Sequence, residues 1–116
     1  MPSDLGTLAF GDVVLVPFPF TDQTTSKQRP AVVVSARAYN LAKRDIVVMA
    51  LTSQLRPSPA LGEVWLTHWQ DAGLLKPSAV KPVIATLEQN LVIRKLGALA
   101  TEDQAALRRA LVEIIS

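Results

Sequence analysis

The order of apolar and polar positions predicts a chain built mainly from β-strands. Residues 13–16, 31–35 and 45–52 form three runs that are rich in valine and isoleucine. β-Branched side chains fit a pleated strand, and apolar residues at consecutive positions indicate burial on both faces of the sheet. Pro17 and Pro19 follow the first run, so we expect that strand to run into a loop.

Two further segments predict weaker strands. Residues 62–68 place Val64 and Leu66 on one face and polar or aromatic residues on the other, which is typical of a half-exposed strand. Residues 78–88 continue the β pattern, but Pro82 lacks the N–H group that a ladder requires. We therefore expect an edge, a bulge or a strand start at Pro82.

The end of the chain carries the clearest helix pattern. Thr101-Glu102-Asp103-Gln104 matches a capping box, with acids in the first turn, where the helix dipole is positive. Apolar residues then recur at helical spacing, at Leu107, Ala110, Leu111 and Ile114. The sequence therefore predicts an amphipathic C-terminal helix with Thr101 as its N-cap and one face packed on the sheet.

The size of the chain and its element order together predict the fold class. With 116 residues, 49% of them hydrophobic, the chain has enough material for one core but not for two, so we expect a single domain over residues 1–116. Several strands closed by one helix favour a mainly β fold, a small and strongly curved sheet or partial barrel. One helix can hardly cover strands that are apolar on both faces, so we expect a homodimer. The alternative is that the barrel interior and the helix hide this surface.

Composition excludes several classes of protein. The longest apolar run, residues 13–20, contains two prolines and falls short of the roughly 20 residues that span a bilayer. The N-terminus shows no basic segment followed by an apolar one, so we expect a cytoplasmic protein. The sequence has no cysteine and one histidine, His68, which excludes thiolate ligands, a two-histidine zinc site and catalysis by a histidine pair. We expect no metal and no cofactor.

Charge is unevenly distributed along the chain. The net charge is +2, but residues 27–56 hold six cationic side chains and one acid, a local charge of +5. Part of this charge lies in a basic connector at residues 36–44, and a small, polar stretch at residues 21–28 predicts an exposed loop. Such a basic stretch is compatible with a phosphate-binding surface, although scattered surface cations are the ordinary explanation.

Several strings occur in a characteristic order. The chain contains Gly11-Asp12-Val13-Val14-Leu15-Val16-Pro17-Phe18 and, after the polar loop, Lys27-Gln28-Arg29-Pro30-Ala31-Val32-Val33-Val34-Ser35. These strings closely resemble the MazF/PemK family of toxin endoribonucleases from type II toxin-antitoxin systems. The resemblance continues through Ala50-Leu51-Thr52-Ser53-Gln54, Ser78-Ala79-Val80-Lys81 and Leu96-Gly97, and thus covers nearly the whole chain.

This resemblance implies a fold, a reaction and a partner. The fold would be an SH3-like barrel of the plasmid-maintenance-toxin type with a C-terminal helix, paired as a homodimer and silenced by a cognate antitoxin protein. The reaction would be a ribosome-independent, metal-independent, sequence-selective cut in single-stranded RNA that leaves 2′,3′-cyclic phosphate and 5′-hydroxyl ends. By motif position, Arg29 and Thr52 are the expected catalytic residues.

The chemistry of these residue types fits that reaction. A guanidinium stays charged and grips phosphate oxygens with two donors, so we expect Arg29 to stabilise the growing charge instead of acting as an acid. An alcohol is a feeble base, so we expect Thr52 to position the phosphate or the 2′-hydroxyl. Many family members carry a glutamate in the loop before the arginine; here Asp22 is the candidate base, with a plain turn role as the alternative.

Neighbouring polar side chains suit contacts to the RNA backbone or base edges, with ordinary surface polarity as the alternative. These expected RNA-binding residues are Lys27, Gln28, Ser53, Gln54, Arg56, Ser78 and Lys81.

Two other functions stay open. Gyrase-binding toxins of the CcdB type resemble this fold, but they use a C-terminal Trp-Gly-Ile, whereas this chain ends in Glu113-Ile114-Ile115-Ser116. A catalytically degenerate relative that only binds RNA or an antitoxin is the third reading, and the presence of both Arg29 and Thr52 argues against it.

Overall fold

Six antiparallel strands and two helices make up the part of the chain that the structure describes. The computed structural model describes residues 6–17, 27–57 and 59–115. The elements are β1 (Asp12–Pro17), β2 (Gln28–Val33), α1 (Arg37–Ala42), β3 (Asp45–Thr52), β4 (Val64–Trp65), β5 (Ala79–Glu88), a 3₁₀ turn (Gln89–Leu91), β6 (Arg94–Ala98) and α2 (Thr101–Ile115). The strands follow the order β4-β5-β3-β2-β1-β6 and curl into a half-barrel. The mainly β fold with a C-terminal helix is confirmed.

Both faces of the central strands are buried, as their consecutive apolar residues predict. Val13, Val32 and Met49 pack with Leu107 and Ala110 of α2 on one face. On the other face, residues of β1, β2 and β3 form a second cluster with Leu8, Leu87 and Val92. The curl of the sheet and the segments beside the 3₁₀ turn therefore cover what the C-terminal helix cannot reach.

The structure differs from the sequence analysis in three places. The basic connector at residues 36–44 contains α1, whose six residues bury only Asn40 and so give no apolar stripe to detect. Strand β6 had no prediction because its pattern is exposed or half-buried throughout. Strand β4 is two residues long, much shorter than the predicted 62–68.

The short length of β4 has a physical cause in α2. The Leu66 N–H still donates to the Ser78 carbonyl, but the next two N–H groups leave the sheet. The Thr67 and His68 N–H groups donate to the two carboxylate oxygens of Asp103, at 2.9 and 2.8 Å. Through these two bonds Asp103, which is 1% exposed, joins the loop after β4 to the first turn of the helix.

This carboxylate gives a stability prediction with a matched control. Asp103→Ala should lower the free energy of unfolding by about 3 kcal/mol, because it leaves two N–H donors without their charged acceptor. Glu102→Ala removes the neighbouring, exposed carboxylate, whose one ionic contact is with His68 at 3.4 Å, and should cost about 0.5 kcal/mol or less. Urea unfolding of both variants measures the difference, and equal midpoints would contradict the assigned role.

Helix α2 begins almost where the sequence predicts. Thr101 is its first residue and not its N-cap, since the Ala100 carbonyl already accepts the Gln104 N–H at 2.9 Å. The Gln104 side chain donates to the Leu99 carbonyl at 2.9 Å instead of closing a capping box. The predicted apolar face does pack on the sheet. Among the described residues, neither helix combines the length and the hydropathy needed to cross a membrane.

A bulge interrupts β5 where the sequence places its proline. Met49 pairs with Ile84 and Leu51 with Val80, so β5 holds extra residues between these pairs. Pro82 lies among them, where no ladder hydrogen bond is needed. Of the three alternatives expected at Pro82, an edge, a bulge or a strand start, the structure shows the bulge.

Candidate active site

The register between β2 and β3 brings Arg29 and Thr52 to one end of the sheet. Ala31 pairs with Ala50; Arg29 lies two residues before the first of these, and Thr52 lies two residues after the second. In an antiparallel pair, such positions fall at the same end and project from the same face. On its other side Thr52 pairs with Ala79 of β5, so Thr52 lies inside the sheet and not at its edge.

These two side chains line one cavity, which we call the candidate active-site cavity. Its volume is about 290 Å³, and its lining consists of Arg29, Pro30, Ala50, Leu51, Thr52, Ser53, Gln54, Lys81 and Val83. The β5 bulge contributes Lys81 and Val83, so the local irregularity supplies a second cation. No acidic side chain lines the cavity among the residues that the structure describes. Its charge therefore suits a phosphate.

The hydroxyl of Thr52 is oriented by its own turn. The Gln54 N–H donates to Thr52 Oγ1 at 3.1 Å, and the Thr52 side chain is half-buried. Because that bond occupies a lone pair of the oxygen, the hydroxyl hydrogen is available to donate toward the cavity. This geometry suits a positioning donor better than a base.

The other predicted site residues lie around this cavity. Ser53, Gln54 and Lys81 line it, whereas Lys27, Gln28 and Arg56 are exposed nearby in sequence but outside its lining. Ser78 is 5% exposed and its hydroxyl donates to the Lys76 carbonyl at 2.8 Å. Asp22 lies outside the described residues.

A second cavity adjoins the first, and we call it the flanking cavity. Its volume is about 550 Å³, and its lining consists of Leu15, Pro30, Ser53, Gly73, Leu74, Leu75, Lys76, Ser78, Arg94, Lys95 and Leu96. Sequence reasoning missed its three cations. Two of them lie on β6, which had no prediction, and Lys76 carries no pattern that sets it apart from any exposed lysine.

Comparison with known proteins settles the family. A family model described as "PemK-like, MazF-like toxin of type II toxin-antitoxin system" matches residues 9–115. The chain belongs to this family. A search of curated proteins found no match.

Solved structures agree with this PemK/MazF assignment at the level of the fold. The chain is similar to the MazE-MazF complex (form III) of Deinococcus radiodurans, with a TM-score of 0.74, 22% identity, and coverage of 94% of this chain and 96% of that one. It is similar to an endoribonuclease from a mycobacterial species, with a TM-score of 0.73, 19% identity and coverage of 94% and 91%. It is also similar to the Mycobacterium tuberculosis toxin MazF-mt6, with a TM-score of 0.69, 21% identity, and coverage of 88% of this chain and 93% of that one.

Proposed function

We propose that this PemK/MazF family toxin is an endoribonuclease that cuts single-stranded RNA, mRNA included, selectively and without ribosomes or a metal. The observation that carries the proposal is the shared cavity of Arg29, Thr52 and Lys81, which holds two cations and, among the described residues, no acid. The similarity to an endoribonuclease solved with its cognate antitoxin supports both the reaction class and an antitoxin partner.

The proposed reaction is an internal transesterification. The 2′-hydroxyl oxygen bonds to the adjacent phosphorus while the bond from phosphorus to the 5′-oxygen breaks. A base takes the 2′-hydroxyl proton, and the departing 5′-oxygen gains a proton, which leaves a 2′,3′-cyclic phosphate and a 5′-hydroxyl. Negative charge on the phosphoryl oxygens rises on the way, and the proposed role of the Arg29 guanidinium and the Lys81 ammonium, which both line the cavity, is to stabilise it.

The proposed role of Thr52 gives a prediction. Thr52→Val keeps the shape but removes the donor, and should lower kcat by roughly 10- to 100-fold through a lost transition-state hydrogen bond. Thr52→Ser keeps the hydroxyl and should stay within about fivefold of wild type. Single-turnover cleavage of one RNA measures both, and a fully active valine variant would remove Thr52 from the mechanism.

The proposed general base is Asp22, which lies outside the described residues. No carboxylate or imidazole lines the active-site cavity within the described part of the chain. Asp22→Asn should flatten the acid limb of the pH dependence of kcat. An unchanged profile would leave Asp22 with a turn role only.

The remaining assignments form part of the same proposal. Lys27, Gln28, Ser53, Gln54, Arg56, Ser78 and Lys81 are proposed RNA contacts. The chain is proposed to form one domain and to act in the cytoplasm as a homodimer. An apolar surface that includes Tyr39, Ile84, Val112 and Ile115 supports the homodimer, since Val112 and Ile115 are each 63% exposed. Sedimentation that shows a monomer at micromolar concentration would overturn the dimer.

The test of the proposed function is cleavage in the absence of metal. The purified toxin is incubated with a long single-stranded RNA in excess EDTA, and the fragment ends are mapped. Discrete cuts with 5′-hydroxyl ends support the proposal. Intact RNA across many sequences would contradict it and favour a relative that only binds RNA or antitoxin, or a gyrase-binding toxin of the CcdB type.

A further inference from the structure

We infer that the flanking cavity binds a nucleotide next to the cut, with an apolar floor for the base and with Lys76 and Arg94 for its phosphates. This inference rests on the proposed function, because it concerns the same RNA strand. It assigns a binding role to Lys76 and Arg94, which belong neither to the family motifs nor to the candidate active-site cavity.

The first support is continuity between the two cavities. Pro30 on β2 and Ser53 just after β3 line both of them. An RNA strand with its scissile phosphate at Arg29 would thus bring an adjacent nucleotide within reach of the flanking cavity. A ligand unconnected to the cut RNA has no such reason to bind there.

The second support is the chemistry of the lining. Leu15, Leu74 and Leu96 give an apolar surface, and Leu75 stands 94% exposed on the rim. The cavity volume of about 550 Å³ falls in the usual range for small-ligand sites. Unstacked RNA bases bind to such apolar faces, while their phosphates bind to nearby cations. The lining therefore suits a nucleotide better than a purely ionic ligand.

The third support is the availability of positive charge. Lys95 is held by Asp12, with its Nζ 3.3 Å from the carboxylate Oδ1. Within residues 6–17, 27–57 and 59–115, no ion pair involves Lys76 or Arg94. Arg94 can grip a phosphate with two donors or stack on a base, and Lys76 adds a point charge. Both cations are exposed, so binding does not require a rearrangement of the core.

The wall of the cavity is fixed by backbone contact. Gly73 and Gly97 let the loop before β5 cross β6 with their main chains touching, and a Cβ on Gly97 would lie 2.6 Å from the Ala72 carbonyl oxygen. The bond from the Ser78 hydroxyl to the Lys76 carbonyl holds the backbone at that lysine. The site is thus largely pre-formed, which lowers the entropy cost of binding.

The test compares two double variants of equal charge on RNAs of graded length. Lys76→Gln with Arg94→Gln removes the proposed contacts. Arg37→Gln with Arg109→Gln removes two exposed cations from the helices α1 and α2 instead. Both are assayed on one RNA that contains a mapped cut, and on copies shortened by one nucleotide at a time from either end.

The expected result is specific to substrate binding and to one nucleotide. The Lys76/Arg94 variant should raise KM for the full RNA by about tenfold with kcat within twofold, and should lower the salt dependence of binding by about 1.4 in log-log slope for two phosphates. The difference in KM between this variant and wild type should vanish on RNAs shortened past the nucleotide that the flanking cavity binds. The reason is that the side chains and that nucleotide contribute to KM through one shared contact, so their effects are not additive. The Arg37/Arg109 variant should match wild type throughout.

Each contrary outcome is distinct. An unchanged KM in a toxin that cuts RNA overturns this inference alone, as does a KM defect that persists at every RNA length. An unchanged KM with weaker inhibition by poly-L-glutamate would assign the cavity to an acidic peptide and also overturn it. A wild-type protein that cuts no RNA would overturn the proposed function and this inference together.

Discussion

Arg29→Ala is expected to lower the rate of RNA cleavage by about 10³-fold, with much of the RNA binding retained. The guanidinium lines the candidate active-site cavity beside Thr52, where charge on the phosphoryl oxygens rises during the reaction. Removal of one preorganised donor to such an oxyanion costs roughly 10²- to 10³-fold, and removal of a charged, two-donor group falls at the upper end. Single-turnover cleavage and a separate RNA-binding assay distinguish the loss of rate from a loss of affinity.

Two companion variants give this prediction its specificity. Arg29→Lys keeps the charge but loses the two-donor fork, so it should recover only part of the rate, to within about 10- to 100-fold of wild type. Arg109→Ala removes an exposed arginine from α2 and should leave cleavage unchanged. Wild-type rates in Arg29→Ala would show that the cavity does not perform the reaction.

Gly73→Ala is expected to destabilise the fold by roughly 2 to 5 kcal/mol, which combines the costs of a left-handed residue and of overpacking. Gly73 has φ +81°, and a Cβ there would overlap the carbonyl oxygen of Leu96. That oxygen belongs to the backbone of β6 and cannot turn aside as a side chain could. The loop before β5 would have to separate from β6, and the flanking cavity would lose its wall. Chemical denaturation measures the loss.

Gly6→Ala provides the matched control for this prediction. Gly6 also has a positive φ, +59°, but nothing lies within 4 Å of the position that a Cβ would take. Its cost should therefore be the conformational part alone, about 1 to 2 kcal/mol. Equal losses in the two alanine variants would mean that the contact between Gly73 and β6 does not matter for stability.

Much of the sheet could be predicted from the sequence because its strands are marked by burial. Strand β3 was predicted at its observed bounds of residues 45–52, since a strand apolar on both faces has few alternative structures. The same holds for the apolar face of α2. Strand β6 escaped prediction because its side chains are exposed or half-buried, and α1 because a six-residue helix that buries only Asn40 carries no periodic apolar pattern.

The ends of elements and the site itself depend on distant residues. Nothing in residues 62–68 indicates that Asp103 takes the N–H groups of Thr67 and His68, so the predicted strand extended too far. Arg29 and Thr52 lie far apart in sequence, and only the family motif pointed to them. Their shared cavity follows from the register of β2 and β3. Lys81 lines the same cavity because of the bulge in β5. Pro82 indicated an irregularity there, but nothing in the sequence indicated which side chains it would turn toward the cavity.

The most direct test of the proposed transesterification at Arg29 and Thr52 uses an RNA with a single 2′-deoxy nucleotide on the 5′ side of a mapped cut. Without the 2′-hydroxyl the internal attack has no nucleophile, so the toxin should leave this bond intact in excess EDTA while it cuts the all-RNA version. Arg29→Ala should leave both intact. Cleavage of the deoxy-substituted bond at the wild-type rate would contradict the mechanism and indicate attack by water instead.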